Sequence, residues 1–143
     1  MRPEILLRIA SIIMVLHTVG HTFGTLGWKK TPDPTKQEVI RQMTENRFPF
    51  MGASKSMGDA MDGYGFSAIG SLLLMAILLW LASNSTGLET NLVRNILIVI
   101  AVNLLVLGVC ELIYFFPLAA GFTLLAFLLT LVAIFQINKT SIS

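Results

Sequence analysis

His17-Thr18-Val19-Gly20-His21-Thr22-Phe23-Gly24 lies inside the first long apolar run of the chain. Read as a helix, it sets His17 and His21 four apart on one face, with Gly20 and Gly24 beside them. The run continues from Ile9 to Leu26 and is long enough to cross a bilayer. An ionisable side chain placed in hydrocarbon costs roughly 2.5–3.5 kcal/mol, so two histidines there call for partners within the protein. Working outward, the question is which other segments supply them.

Composition sets the class. Of 143 residues, 55% are hydrophobic and only 13% charged, and mean hydropathy is +0.77. Soluble domains carry about 25% charged residues. With several apolar runs near 20 residues, this indicates an integral membrane protein. The net charge of +2 is too small to suggest a nucleic-acid partner. The single cysteine, Cys110, excludes an intrachain disulfide and a cysteine-based metal cluster, and reads as a packed thiol. Arg2 and Arg8 flank the apolar start as in a signal peptide, but no A-x-A-like site follows, so the segment is expected to stay as a spanning helix.

Four spanning helices are predicted, over residues 4–27, 57–82, 91–115 and 118–137, with an extramembrane segment over 28–56. The expected fold is all-α, one transmembrane four-helix bundle over residues 1–143, with a short amphipathic helix between the first two spans. In that segment Asp33-Pro34 reads as an N-cap followed by proline at the first helical position. The predicted helix runs from Pro34 to about Asn46, with Val39, Ile40, Met43 and Arg47 on one stripe. Pro49 ends it, and Phe48, Phe50 and Met51 anchor the return. Gly20-x-x-x-Gly24 matches the small-xxx-small pattern and is expected to let a neighbouring helix come close. Asn84-Ser85-Thr86-Gly87 reads as a turn, and the third span is set to begin at Glu89 or Asn91. The last span carries few polar groups, Thr123, Thr130 and Gln136, and reads as a lipid-facing wall. Lysine and arginine are more numerous in the 28–56 segment than near the ends, a tally that favours that segment in the cytoplasm without settling the orientation.

The polar groups converge in depth. On a helix centred near Leu16, His17 lies at the midplane and His21 about 7 Å towards the loop side. Glu111 lies roughly 11 Å towards that same side on its own helix. Asp59 and Asp62 stand nearer the water. The expected centre therefore pairs His21 with Glu111 as an acid–base couple, the candidate catalytic residues, and adds His17, Asp59, Asp62, Asn103 and Tyr114 as ligand-binding residues. Histidine titrates near neutral pH, which suits proton transfer to a small lipophilic molecule. No metal is assigned. Zinc or iron on His17, His21 and Glu111 is the alternative, because histidines at i and i+4 can chelate one ion, although no His-Glu-x-x-His signature is present. A second alternative is a structural or subunit-interaction protein whose buried hydrogen bonds fix helix packing. The expected partners are the lipid bilayer, a lipophilic ligand and a second copy of the chain.

The runs Leu6-Leu7-Arg8-Ile9-Ala10-Ser11, His17 to Gly24, Pro49-Phe50-Met51-Gly52 and Asp59 to Gly65 resemble a group of small bacterial four-helix membrane proteins of uncharacterised function. That resemblance implies the bacterial inner membrane. The chain is also similar in size and helix count to DoxX-like and anthrone-oxygenase-like proteins, a likeness of outline that carries no activity.

Overall fold

A computed structural model describes residues 2–85 and 90–140. The elements are α1 (Pro3–Gly27), α2 (Pro34–Glu45), β1 (Arg47–Phe50), β2 (Ala53–Ser56), α3 (Met57–Asn84), α4 (Thr90–Tyr114) and α5 (Pro117–Thr140). The helices α1, α3, α4 and α5 are each long and apolar enough to cross a membrane, so the all-α membrane fold expected from the sequence holds. Gly87 and Glu89, read as a turn and a helix start, lie outside the described residues.

The chain divides into two compact units. The first comprises Met1–Thr18 and Leu72–Ser143. In it the start of α1, the end of α3, α4 and α5 share an apolar core of Leu7, Met14, Leu79, Leu97, Leu104 and small residues such as Ala76, Ala126 and Ala133. Along α1 the buried positions 6, 7, 10, 11, 14, 17 and 18 recur every three or four residues, the seam of a packed helix. Lipid tails are as apolar as leucine, so burial from water does not hold such helices together; close packing and hydrogen bonds do. Ser11 supplies one, its hydroxyl donating to the Ala76 carbonyl at 2.7 Å. Arg8 supplies another, donating to Asn84 Oδ1 at 3.1 Å while its guanidinium lies 5.6 Å from the centre of the Trp80 ring. As numbers rise along α1, their α3 partners fall, so the two segments run antiparallel.

Helices α4 and α5 form a tight hairpin. Phe115 and Phe116 make the turn, and Pro117 opens α5 at the one place where its missing N–H costs nothing. Gly108 lets the two approach: a Cβ there would stand 2.6 Å from Leu124 Cδ2 and 2.8 Å from its Cγ. Helix α5 has the outward apolar face expected from its composition, in Leu125, Leu128, Val132 and Phe135, and also a buried inner face. Thr123, Thr130, Ala120, Ala126 and Ala133 are fully buried, and these small residues form its inner face. Thr130 satisfies its hydroxyl on the Ala126 carbonyl one turn back.

The second unit is Val19–Ser71. Asp33 caps α2 as expected, its carboxylate accepting from the N–H groups of Thr35 and Lys36 with Pro34 next in line. The helix stops at Glu45, so Arg47 leaves the expected stripe and enters a strand. Strands β1 and β2 form a two-stranded antiparallel hairpin, Arg47 opposite Ser56 and Phe50 opposite Ala53, where the sequence suggested only a return loop. Its turn residues Met51 and Gly52 have φ of 47° and 84°. Two positive φ values are what a two-residue hairpin turn demands, and glycine meets that demand better than methionine. Gly20 and Gly24 do not mark a close helix contact, since nothing lies within 4 Å of a Cβ built at either. The close approach in this unit is at Gly65, where a Cβ would lie 2.5 Å from Thr25 Cγ2.

On α2, Arg41 donates to Glu38 and Glu45, which lie three and four residues away on the same face. The guanidinium holds the Glu38 carboxyl down from its ordinary 4.5 to about 2. A depressed carboxyl stabilises the helix above its ordinary value, and that contribution goes as pH falls through the folded value. The helical amide signals of residues 34–45 are therefore expected to weaken as pH drops from 4.5 towards 2, as NMR of the protein in detergent would record. Gly108→Ala is expected to lower stability by about 1–3 kcal/mol, because the methyl overfills the α4–α5 contact. Unfolding by sodium dodecyl sulfate measures it.

Candidate functional site

The buried polar cluster of the first unit is built from three helices. His17 comes from α1, Glu111 from α4 and Thr123 from α5, and all three are nearly inaccessible, at 4%, 6% and 0% exposure. Each sits on the inner seam of its helix, so the same periodicity that buries Met14, Leu104 and Ala126 also buries these three. The His17 Nδ1 and Thr123 Oγ1 atoms are 3.1 Å apart, and His17 Nε2 lies 3.6 Å from Glu111 Oε1. The first distance is a hydrogen bond; the second is an ion-pair distance beyond hydrogen-bond range. Phe122 stacks on the imidazole, with ring centres 5.9 Å apart and planes at 24°.

The proton arrangement depends on what each atom can donate. If the threonine hydroxyl donates to Nδ1, the histidine carries its proton on Nε2 and presents it to Glu111. If Nδ1 carries the proton instead, it donates to Thr123 Oγ1. The cluster can thus hold one proton in more than one place without moving a helix. The other carboxylate oxygen of Glu111 is buried and has no hydrogen-bond partner among the described residues.

The sequence reading paired Glu111 with His21, and the residue that faces Glu111 is His17. His21 is half-buried on the last turns of α1, within the second unit. Asn103 and Tyr114 lie on exposed faces of α4, Tyr114 at 77%. Asp59 and Asp62 belong to the second unit and have other partners. Asp59 accepts from the Ser56 N–H at 3.0 Å and donates its own N–H to Ser56 Oγ at 3.0 Å, a reciprocal cap on α3, with Arg47 3.1 Å from its Oδ2. The Ser56-Met57-Gly58-Asp59 spacing carries the signal for that cap. Asp62 accepts from Trp28 Nε1 at 2.8 Å and from Lys29, tying the end of α1 to α3. Among the described residues, no three of histidine, cysteine, aspartate and glutamate come together as a metal-binding set.

Thr123 is the residue that sequence reasoning missed. A threonine on a spanning helix can satisfy itself on the preceding turn, as Thr130 does, so the residue type alone does not distinguish a bridging hydroxyl from a self-satisfied one.

The second unit also holds an open cleft of about 470 Å³ between the hairpin and the first turns of α3. Phe48, Phe50 and Tyr64 give it aromatic walls, and Lys55, Ser56, Asp59 and Ser67 bring polar groups to it.

No family model matches the chain, and neither a curated protein nor a solved structure does so.

The cluster gives a direct energetic expectation. Removing one partner of a buried pair strands the other, whereas replacing both with apolar groups does not. The double variant of His17→Leu and Glu111→Leu is therefore expected to lose less stability than the two single variants summed, with a coupling of about 0.5–3 kcal/mol. A double-mutant cycle read by detergent unfolding checks this, and strictly additive losses would mean that the two side chains do not act as a unit.

Proposed function

We propose that the chain is an integral protein of a bacterial inner membrane that binds a small lipophilic molecule. The membrane assignment to bacteria rests on the resemblance drawn from its sequence runs. The observation that carries the binding reading is the cleft of the second unit. It has the size of a small-molecule site, mostly apolar walls and a few polar groups placed around them. Phe48, Phe50 and Tyr64 offer flat faces to a ring or an acyl chain. Lys55 offers a cation to a polar head. The Asp59 carboxylate is already engaged by Ser56 and Arg47, so it shapes the floor of the cleft and repels a second anion. A ligand with an apolar body and a neutral, polar head suits this lining, with Lys55 as the hydrogen-bond donor.

A second reading is favoured for the His17–Glu111–Thr123 cluster. Its burial and its packing under Phe122 support a structural network that fixes the register of α1, α4 and α5, in preference to an acid–base step on a substrate.

Mass spectrometry of the protein excised from membrane with its surrounding lipid tests the binding reading. A small molecule is expected to co-purify with the wild-type chain and to be lost from Phe50→Ala and Tyr64→Ala variants that remain folded. Equal retention by both variants, or no bound molecule beyond bulk lipid, would rule it out.

A further inference from the structure

One face of α4 carries a feature that neither the core nor the cleft uses. Leu92, Ile96, Val99, Asn103, Val106 and Cys110 succeed one another at spacings of four, three, four, three and four residues. That is a heptad seam with Asn103 at a central position. It lies about a third of a turn round the helix from the buried seam. Every member faces outward: Leu92 is 56% exposed, Ile96 42%, Val99 69% and Val106 58%, and Asn103 and Cys110 are exposed as well. The seam is about 27 Å long at 1.5 Å per residue, close to the thickness of the hydrocarbon core.

Asn103 stands near the middle of α4, where water is absent. Its amide makes no side-chain hydrogen bond among the described residues, and neither does that of Asn95 two turns away. Both open onto one groove whose other walls are apolar, Val99 and Ile100 on α4 with Met75 and Leu78 on α3. An amide facing hydrocarbon forgoes two donors and an acceptor. Lipid tails cannot supply partners; another amide can supply a donor and an acceptor at once.

We infer that α4 pairs with α4 of a second copy of this chain, forming a parallel dimer through the seam centred on Asn103. Copies inserted the same way round are related by a twofold axis along the membrane normal. That symmetry places each seam residue opposite its own counterpart. Asn103 then meets Asn103, and a carboxamide is complementary to itself, donating and accepting at once. A single central asparagine in an otherwise apolar seam also fixes register and favours two strands. The same symmetry brings Cys110 close to its counterpart, one end of the seam away from Asn103, so the native thiol reports on the pairing.

The test uses the full chain in phosphatidylcholine vesicles at low protein-to-lipid ratio. Energy transfer between copies labelled at the N-terminus reads association, and oxidation with copper phenanthroline reads the proximity of the two Cys110 thiols. The expected result is saturable energy transfer and a covalent dimer. Asn103→Val is expected to weaken association about tenfold, since an interhelical polar bond in a membrane contributes on that scale. Because Asn103 lies outside the core, the variant should unfold at the same detergent concentration as the wild type. Moving the thiol round the helix, with Cys110→Ser and Val109→Cys together, should reduce the covalent dimer, and Gly20→Leu should leave association unchanged. A monomeric chain, association indifferent to Asn103→Val, a stronger adduct from position 109, loss of association in Gly20→Leu, or Cys110 adducts only to a protein of different mass would each overturn the proposal. None of these outcomes bears on the cleft of the second unit.

Discussion

Hydrocarbon offers no hydrogen bonds, so every polar side chain carried into a membrane must find its partner in the protein. That constraint governs the first unit. Its helices share an apolar seam, but apolar seams are interchangeable in lipid and do not by themselves fix which helix meets which. The polar contacts do so. Ser11 ties α1 to the Ala76 carbonyl of α3, and His17 ties α1 to Glu111 of α4 and Thr123 of α5. Two side chains on one helix thus address the other three. Slipping α1 by one residue would turn His17 about 100° away from both partners.

Much of this architecture is legible in the sequence. Composition and run length give the spans within about three residues at each end, and the Asp33-Pro34 pair gives the start of α2. The concentration of His17 and Glu111 in the apolar runs marks the polar centre. The choice between His17 and His21 is not legible, because both lie on one helix face and the outcome depends on where α5 docks. Thr123 is hidden for the same reason, its hydroxyl being equally able to bond its own helix. The aspartates are a different case, since both hold structural partners while Asp59 also lines the open cleft. Acidic residues at the start of a spanning helix look like ligand groups, yet Asp59 and Asp62 spend their oxygens on a cap and on a tie to Trp28 and Lys29.

The hairpin is the clearest departure from the sequence reading. Arg47-Phe48-Pro49-Phe50 lacks polar–apolar alternation and contains a proline, which weakens any strand signal. A two-stranded ribbon tolerates Pro49 because one side of each strand has no neighbour. The turn is equally cryptic, since Met51-Gly52 replaces the Asn-Gly or Asp-Gly pair that announces such turns. The resulting ribbon displays Phe48 and Phe50 beside α3, so the least legible element supplies the aromatic walls of the cleft.

The tight α4–α5 turn also bears on how the chain enters its membrane. Between Arg94 and Lys139 the only formally charged side chain is Glu111, and only Phe115 and Phe116 separate the two helices. Nothing resembling a soluble loop has to be carried across the bilayer. The two helices can therefore be delivered laterally as a preassembled pair, with a single carboxyl group as their polar cargo, and Thr123 travels on the other helix of that pair.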